Sequence, residues 1–100
     1  MNNITKVSEI QASDVAEYIR LDEVTEDDTK YLTTLISVAK SYMCDYTGRT
    51  EEDLDNFADF VIVVFVLCQD MYDTRAMYVD KSNVNQVVDT ILGMHQVNLL

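Results

Sequence analysis

FVIVVFVLC, from Phe60 to Cys68, is nine apolar residues in a row, and its reading decides the fold. Val, Ile and Phe favour strands, so composition alone leaves the segment ambiguous. Length and context settle the reading as helix. Thr50 is a helix-start residue followed by Glu51, Glu52 and Asp53, acids that suit the positive end of a helix dipole. Leu54, Phe57, Ala58 and Val61 then lead in at steps of three and four. The sequence therefore predicts one helix from Glu51 to about Arg75. It is apolar nearly all round, so it is expected to lie at the centre of the domain or beneath another subunit.

Upstream, Thr25 begins the best-marked helix of the chain. Its side chain can accept from first-turn N–H groups, and Glu26, Asp27 and Asp28 follow. Tyr31, Leu32, Leu35, Ile36, Ala39, Tyr42, Met43 and Tyr46 fall on one stripe, with Tyr31, Tyr42 and Tyr46 expected within the buried part. Gly48 is the expected left-handed terminator. A helix over Glu26 to Tyr46 would span about 31 Å. A shorter first helix is predicted from about Asp14 to Arg20, capped by Ser13, with Val15, Tyr18 and Ile19 at helical spacing. Residues 76–83 read as a loop. Asn83 is expected to cap a last helix through Val84, Val87, Val88, Ile91 and Leu92, stopped by Gly93. The fold expected is all-α, one domain over residues 1–100. It is a small bundle of about four helices, with a long antiparallel hairpin turning at Gly48.

Charge bounds the function. Seven Lys and Arg stand against 18 Asp and Glu, for a net charge of −11. Such a balance argues against gripping nucleic acid or an anionic membrane over a broad surface, since both need a basic face. Cys44 and Cys68 both fall in apolar helical patterns without a CxxC spacing, which predicts reduced, inert thiols in a reducing compartment. The opening MNNITKVSE has no basic stretch followed by an apolar one, and nine apolar residues are about half of a bilayer span. A soluble intracellular protein is expected.

Catalytic chemistry finds few parts here. His95 is the single histidine, beyond a helix end, without a Cys or His at metal-ligand spacing, and reads as a polar tail residue. The paired carboxylates sit at helix starts, where the ionised form is favoured, and read as solvated caps. Neither acidic stretch has the central Gly of a calcium loop. There is no Gly-rich phosphate cradle and no nucleophile motif. No enzyme activity, metal or cofactor is expected.

Two surfaces stand out instead. Met71, Tyr72, Arg75, Met77 and Tyr78 combine the Met, aromatic and Arg character of subunit interfaces. Asp22, Glu23, Glu26, Asp27 and Asp28, with Glu51, Glu52, Asp53 and Asp55, form a candidate acidic face toward solvent or a channel.

The segments ASDVAEYIRLD, EDDTKYLTTLISVAKSYMCDYTGR, LCQDMYDTRAMYVD and VVDTILGMHQVNLL, in that order, resemble the small head–tail connector (DNA-packaging) proteins of tailed phages and prophages, closest to those of Gram-positive hosts. The resemblance covers about Ile10 to Leu100. Matching positions include Tyr18, Ile19, Leu21 and Asp22, then Asp27 and Asp28. In and after the second helix they are Leu35, Ile36, Ala39, Tyr42, Tyr46, Thr47 and Gly48. Asp70, Tyr72, Asp73 and Arg75 follow, then Ile91, Leu92, Asn98 and Leu99. The chain departs from the family pattern at Thr50 to Asp53, where many relatives carry a proline. It also departs in the compact Ala76 to Val84 connection, where many carry a longer insert.

What the resemblance implies is an all-α subunit that forms a homo-oligomeric ring beneath the portal protein. Such a ring joins the portal to the stopper or tail-completion protein and lines a channel through which double-stranded DNA passes without specific binding. It would act in the host cytoplasm during assembly and at the head–tail junction of the virion. Fixed acids suit such a channel, because like charge disfavours phosphates on the wall. The alternative that the acids allow is an inhibitor whose carboxylates mimic DNA phosphates on a basic host protein.

Overall fold

The computed structural model describes residues 4–82 and 84–97. Its four helices are α1 (Ala12–Tyr18), α2 (Glu26–Thr47), α3 (Phe60–Thr74) and α4 (Gln86–Met94), with 3₁₀ turns at Val7–Glu9 and Glu52–Asn56 and no strand among the described residues. The all-α expectation holds. α2 and α3 form the central antiparallel pair, and α1 and α4 each pack against both of them.

α2 is built as its sequence dictates. Thr25 Oγ1 accepts from the Asp28 N–H at 3.1 Å, and the Asp28 carboxylate accepts from the Thr25 N–H at 3.1 Å. That reciprocal pair satisfies two of the orphan donors of the first turn. Gly48 ends the helix at φ 73°, its N–H donating to Cys44 O at 2.9 Å. Leu32, Leu35, Ile36, Ala39 and Met43 are buried, whereas Tyr31, Tyr42 and Tyr46 are only half-buried at the margins of the stripe.

Several boundaries differ from the sequence expectation. α1 begins two residues early, because the Asp14 carboxylate reaches back to accept from the Gln11 N–H at 2.8 Å; Ser13 lies inside the helix rather than capping it. The single helix expected from Glu51 to Arg75 is broken. Thr50 Oγ1 does accept from the Asp53 N–H, but it caps only the 3₁₀ turn, and Phe57 is extended at φ −126°, ψ 105°. Across the break Leu54 and Phe60 are buried and Phe57 packs against the core. α4 starts at Gln86 with Asn85 as its cap, Oδ1 accepting from the Val87 N–H at 2.8 Å. Val84 precedes the helix, Gly93 lies within it, and the expected cap Asn83 is outside the described residues.

The apolar rod is helical, and the chain covers it. Phe60, Val61, Val63, Val64, Phe65, Leu67, Cys68 and Met71 are buried, while Ile62 and Val66 are partly covered. Tyr18 closes one side, its ring 5.1 Å from that of Phe65. Of the two placements expected, the centre of the domain or beneath another subunit, the structure has the first: α1, α2 and α4 cover this helix. The apolar surface left over lies elsewhere, at Val24, Met77, Tyr78, Val87 and Met94.

Candidate functional site

Helices α1 and α3 end alike. After α1 the Arg20 N–H donates to Glu17 O and the Leu21 N–H to Ala16 O; after α3 the Arg75 N–H donates to Tyr72 O and the Ala76 N–H to Met71 O. Both arginines are left-handed, at φ 62° and 56°, a position where glycine is the usual occupant. The second of these turns leads into the segment of the candidate interface.

The five interface candidates divide. Met71 is 2% exposed and belongs to the core. Tyr72 is half-buried against Tyr31, ring centroids 5.9 Å apart, and the Tyr31 hydroxyl donates to Ala76 O at 3.3 Å. The Arg75 guanidinium lies 4.3 Å from the centroid of the Tyr72 ring and has no carboxylate partner among the described residues. Met77 and Tyr78 are 56% and 66% exposed. An Arg stacked on an aromatic beside two exposed large apolar side chains is the composition of an interface anchor. A cleft of about 440 Å³ beneath Tyr78 is lined in part by Leu67, Asp70 and Asp73. Partial burial, and then the Asp73 charge, push the Asp70 carboxyl above its usual range.

The acidic candidates do not form one face. Asp22, Glu23, Glu26, Asp27 and Asp28 sit at the start of α2; Glu51, Glu52, Asp53 and Asp55 follow its end, about 33 Å of helix away. Several are engaged locally. Glu26 pairs with Lys30 at 3.8 Å, Glu51 with Lys40 at 3.7 Å, and Asp53 with Arg49 at 3.4 Å. Asp55 accepts from the Ser8 N–H at 2.8 Å, and hydrogen bonds from Ser8 hold its carboxyl below the usual range. Two separated clusters lack the continuous row of charge that mimicry of a DNA backbone requires.

A groove of about 760 Å³ runs between α1 and α2, with Ala16, Leu21, Val24 and Ile36 among its apolar lining and Glu17 and Lys40 among its polar lining. Nothing in the linear sequence marked it, because its walls come from segments twenty residues apart that meet only when α1 folds back on α2.

His95 is more than a tail residue. Its Nε2 lies 2.9 Å from Asp59 Oδ2, its ring packs 4.3 Å from Phe57 and 4.9 Å from Phe60, and its carbonyl accepts from Arg49 Nε at 2.7 Å. Every named contact fastens the chain end to the α2–α3 turn, which makes the role one of anchoring. Cys68 is buried, and burial pushes its thiol up to about 12. Cys44 is half-buried, its thiol raised first by burial and then by Glu51 and Asp45. Among the described residues no group of three or more His, Cys, Asp or Glu side chains is placed to hold a metal, and no helix is long and apolar enough to cross a membrane.

Compared with protein-family models, with curated proteins and with solved structures, the chain matches none.

Proposed function

We propose that this chain is a structural adaptor of a tailed-phage head–tail junction. It assembles as a ring between portal and stopper or tail-completion protein, lines the DNA channel and performs no reaction. The observation that carries the reading is the placement of the connector-like segments on the all-α fold. Tyr18 to Asp22 closes α1, Asp27 and Asp28 open α2, and Asp70 to Arg75 closes α3. Those helix ends set the loop geometry on which subunit contacts depend.

Physical features support the same role. A closed ring is a head-to-tail contact, so each subunit needs two different complementary surfaces. The exposed Met77 and Tyr78 beside Arg75 offer one, and the α1–α2 groove offers another. With −11 per copy, neighbouring subunits repel at long range, and salt screening beyond about 8 Å favours their approach. Whichever of the two acidic clusters faces the channel would repel DNA phosphates and let DNA slide without sticking.

The test is electron microscopy of the protein mixed with its cognate portal. A ring of added density stacked on the portal is the expected result. Capture of a basic nucleic-acid enzyme from host lysate, with no density on the portal, overturns the adaptor reading in favour of the DNA-mimic inhibitor.

A further inference from the structure

We propose that Arg75, Met77 and Tyr78 of one copy dock into the groove between α1 and α2 of the next copy, an inference that rests on the ring-forming reading. The two surfaces lie on opposite sides of α2. Thr29, Thr33, Ile36, Ser37 and Lys40 line the groove, and their spacing of one, three and four places them on one side of the helix. Tyr31 is two residues from both Thr29 and Thr33, which at 3.6 residues per turn is about 200° around the axis. It is this far side that carries Tyr72 against Tyr31 and Arg75 against Tyr72. A contact joining opposite sides of a subunit cannot satisfy both copies of a pair at once. It leaves one surface free at each end and adds further copies, as a ring requires.

Shape and charge agree with that occupant. The groove has an apolar floor at Ala16, Leu21 and Ile36. On its rim Val24 is 46% exposed with no apolar residue of its own chain to cover it fully. Its volume, about 760 Å³, falls in the range of roughly 300–1,000 Å³ in which proteins bury drug-sized groups. Met77 and Tyr78 are the matching apolar side chains with no covering of their own. Of the two charged residues that line the groove, Lys40 is paired with Glu51 at 3.7 Å, whereas Glu17 makes no ion pair among the described residues. On the docking segment, Arg75 stands between Asp73 and Asp80 in sequence and has no ion pair among the described residues. In a chain this acidic, an exposed guanidinium set opposite the Glu17 carboxylate makes an attractive contact between copies.

Sedimentation velocity of the whole chain up to about 1 mM tests the contact, using Tyr78→Asp, which removes the docking residue, and Val24→Asp, which fills the groove with charge. Both positions are exposed, and unchanged helix content by circular dichroism checks that each variant is folded. The expected result is oligomers of the unaltered chain, monomers of either variant alone, and one-to-one dimers when the two variants are mixed. In that mixture the intact groove of one accepts the intact docking segment of the other. Arg75→Glu weakens the oligomers and Glu17→Arg in the same chain restores them. Oligomers that persist in both single variants overturn this contact and leave the ring reading standing. A chain that stays monomeric at every concentration overturns self-docking through these surfaces, while the portal experiment decides the ring reading separately.

Discussion

His95 Nε2 meets Asp59 Oδ2 at 2.9 Å across 36 positions of sequence, fastening the end of α4 to the start of α3. Phe57 and Phe60 hold the imidazole between them, and the Val97 N–H donates to Thr47 O at 2.8 Å just beyond. The bundle is thus closed at the end opposite to the docking segment.

Removing that fastening costs stability in two separable parts. His95→Ala loses the ring contacts and the pair with Asp59, and a loss of about 2 kcal/mol is expected. His95→Phe keeps the ring contacts and is expected to lose about half as much. Urea denaturation of the three proteins at equal pH measures both. Equal losses for Ala and Phe would assign the whole effect to the Asp59 pair.

Tyr46 donates to the Asp89 carboxylate and joins α2 to α4. That hydrogen bond, then burial and the Asp89 charge, push the phenol up to about 12 from an ordinary 10.0. A folded value above the unfolded one means that the bond stabilises fully below pH 10. Its contribution is lost as pH rises from about 10 to about 12. Tyr46→Phe should lower stability at pH 7 by about 1 kcal/mol and flatten the alkaline decline. Thermal unfolding measured across that range reads both effects.

Asp55 and Asp70 pull the acid limb of stability in opposite directions. The Ser8 hydrogen bonds depress Asp55 below its ordinary 3.8, so its contribution is present above that value and lost as pH falls through the depressed one. Burial and Asp73 raise Asp70, so its ionised form weakens the fold above the raised value. Asp55→Asn should reduce stability at pH 7 and make acid unfolding shallower, whereas Asp70→Asn should increase stability at pH 7 and lose that gain in acid. Denaturant midpoints between pH 2 and 7 distinguish the two.

Arg20 occupies a left-handed position with φ 62° and makes no ion pair among the described residues. Arg20→Gly removes the Cβ clash and should raise stability by about 0.5–1 kcal/mol, read as a higher urea midpoint with an unchanged slope. A fall in stability would mean that the arginine side chain contributes more than its backbone strain costs.

Much of the fold was legible in the chain because its signals act over a few residues. Thr25, Asp28 and Gly48 form bonds within one turn of their own positions, so α2 begins and ends where its letters place it. The break at Phe57 was not legible. It depends on Ser8 holding Asp55 and on His95 packing against Phe57, partners 47 and 38 positions away. The start of α4 was misjudged because Asn83 and Asn85 are equal as letters. Only the folded connection between α3 and α4 distinguishes them.

The candidate surfaces divide by the same rule. Met, Tyr and Arg near the end of α3 marked a segment that the structure leaves partly exposed. Whether each faced inward was settled by Tyr31, 41 positions from Tyr72, which covers Tyr72 and leaves Met77 and Tyr78 in solvent. By itself the sequence determined the all-α class, the caps of α2, the α2–α3 hairpin and the helicity of Phe60 to Cys68, since propensity, capping and hydrophobic period act locally. Tertiary structure alone decided that the chain covers its own apolar rod, that the acids fall into two distant clusters, and that a groove opens between α1 and α2. Each of those depends on which surfaces meet across tens of residues, and local energies carry no information about such meetings.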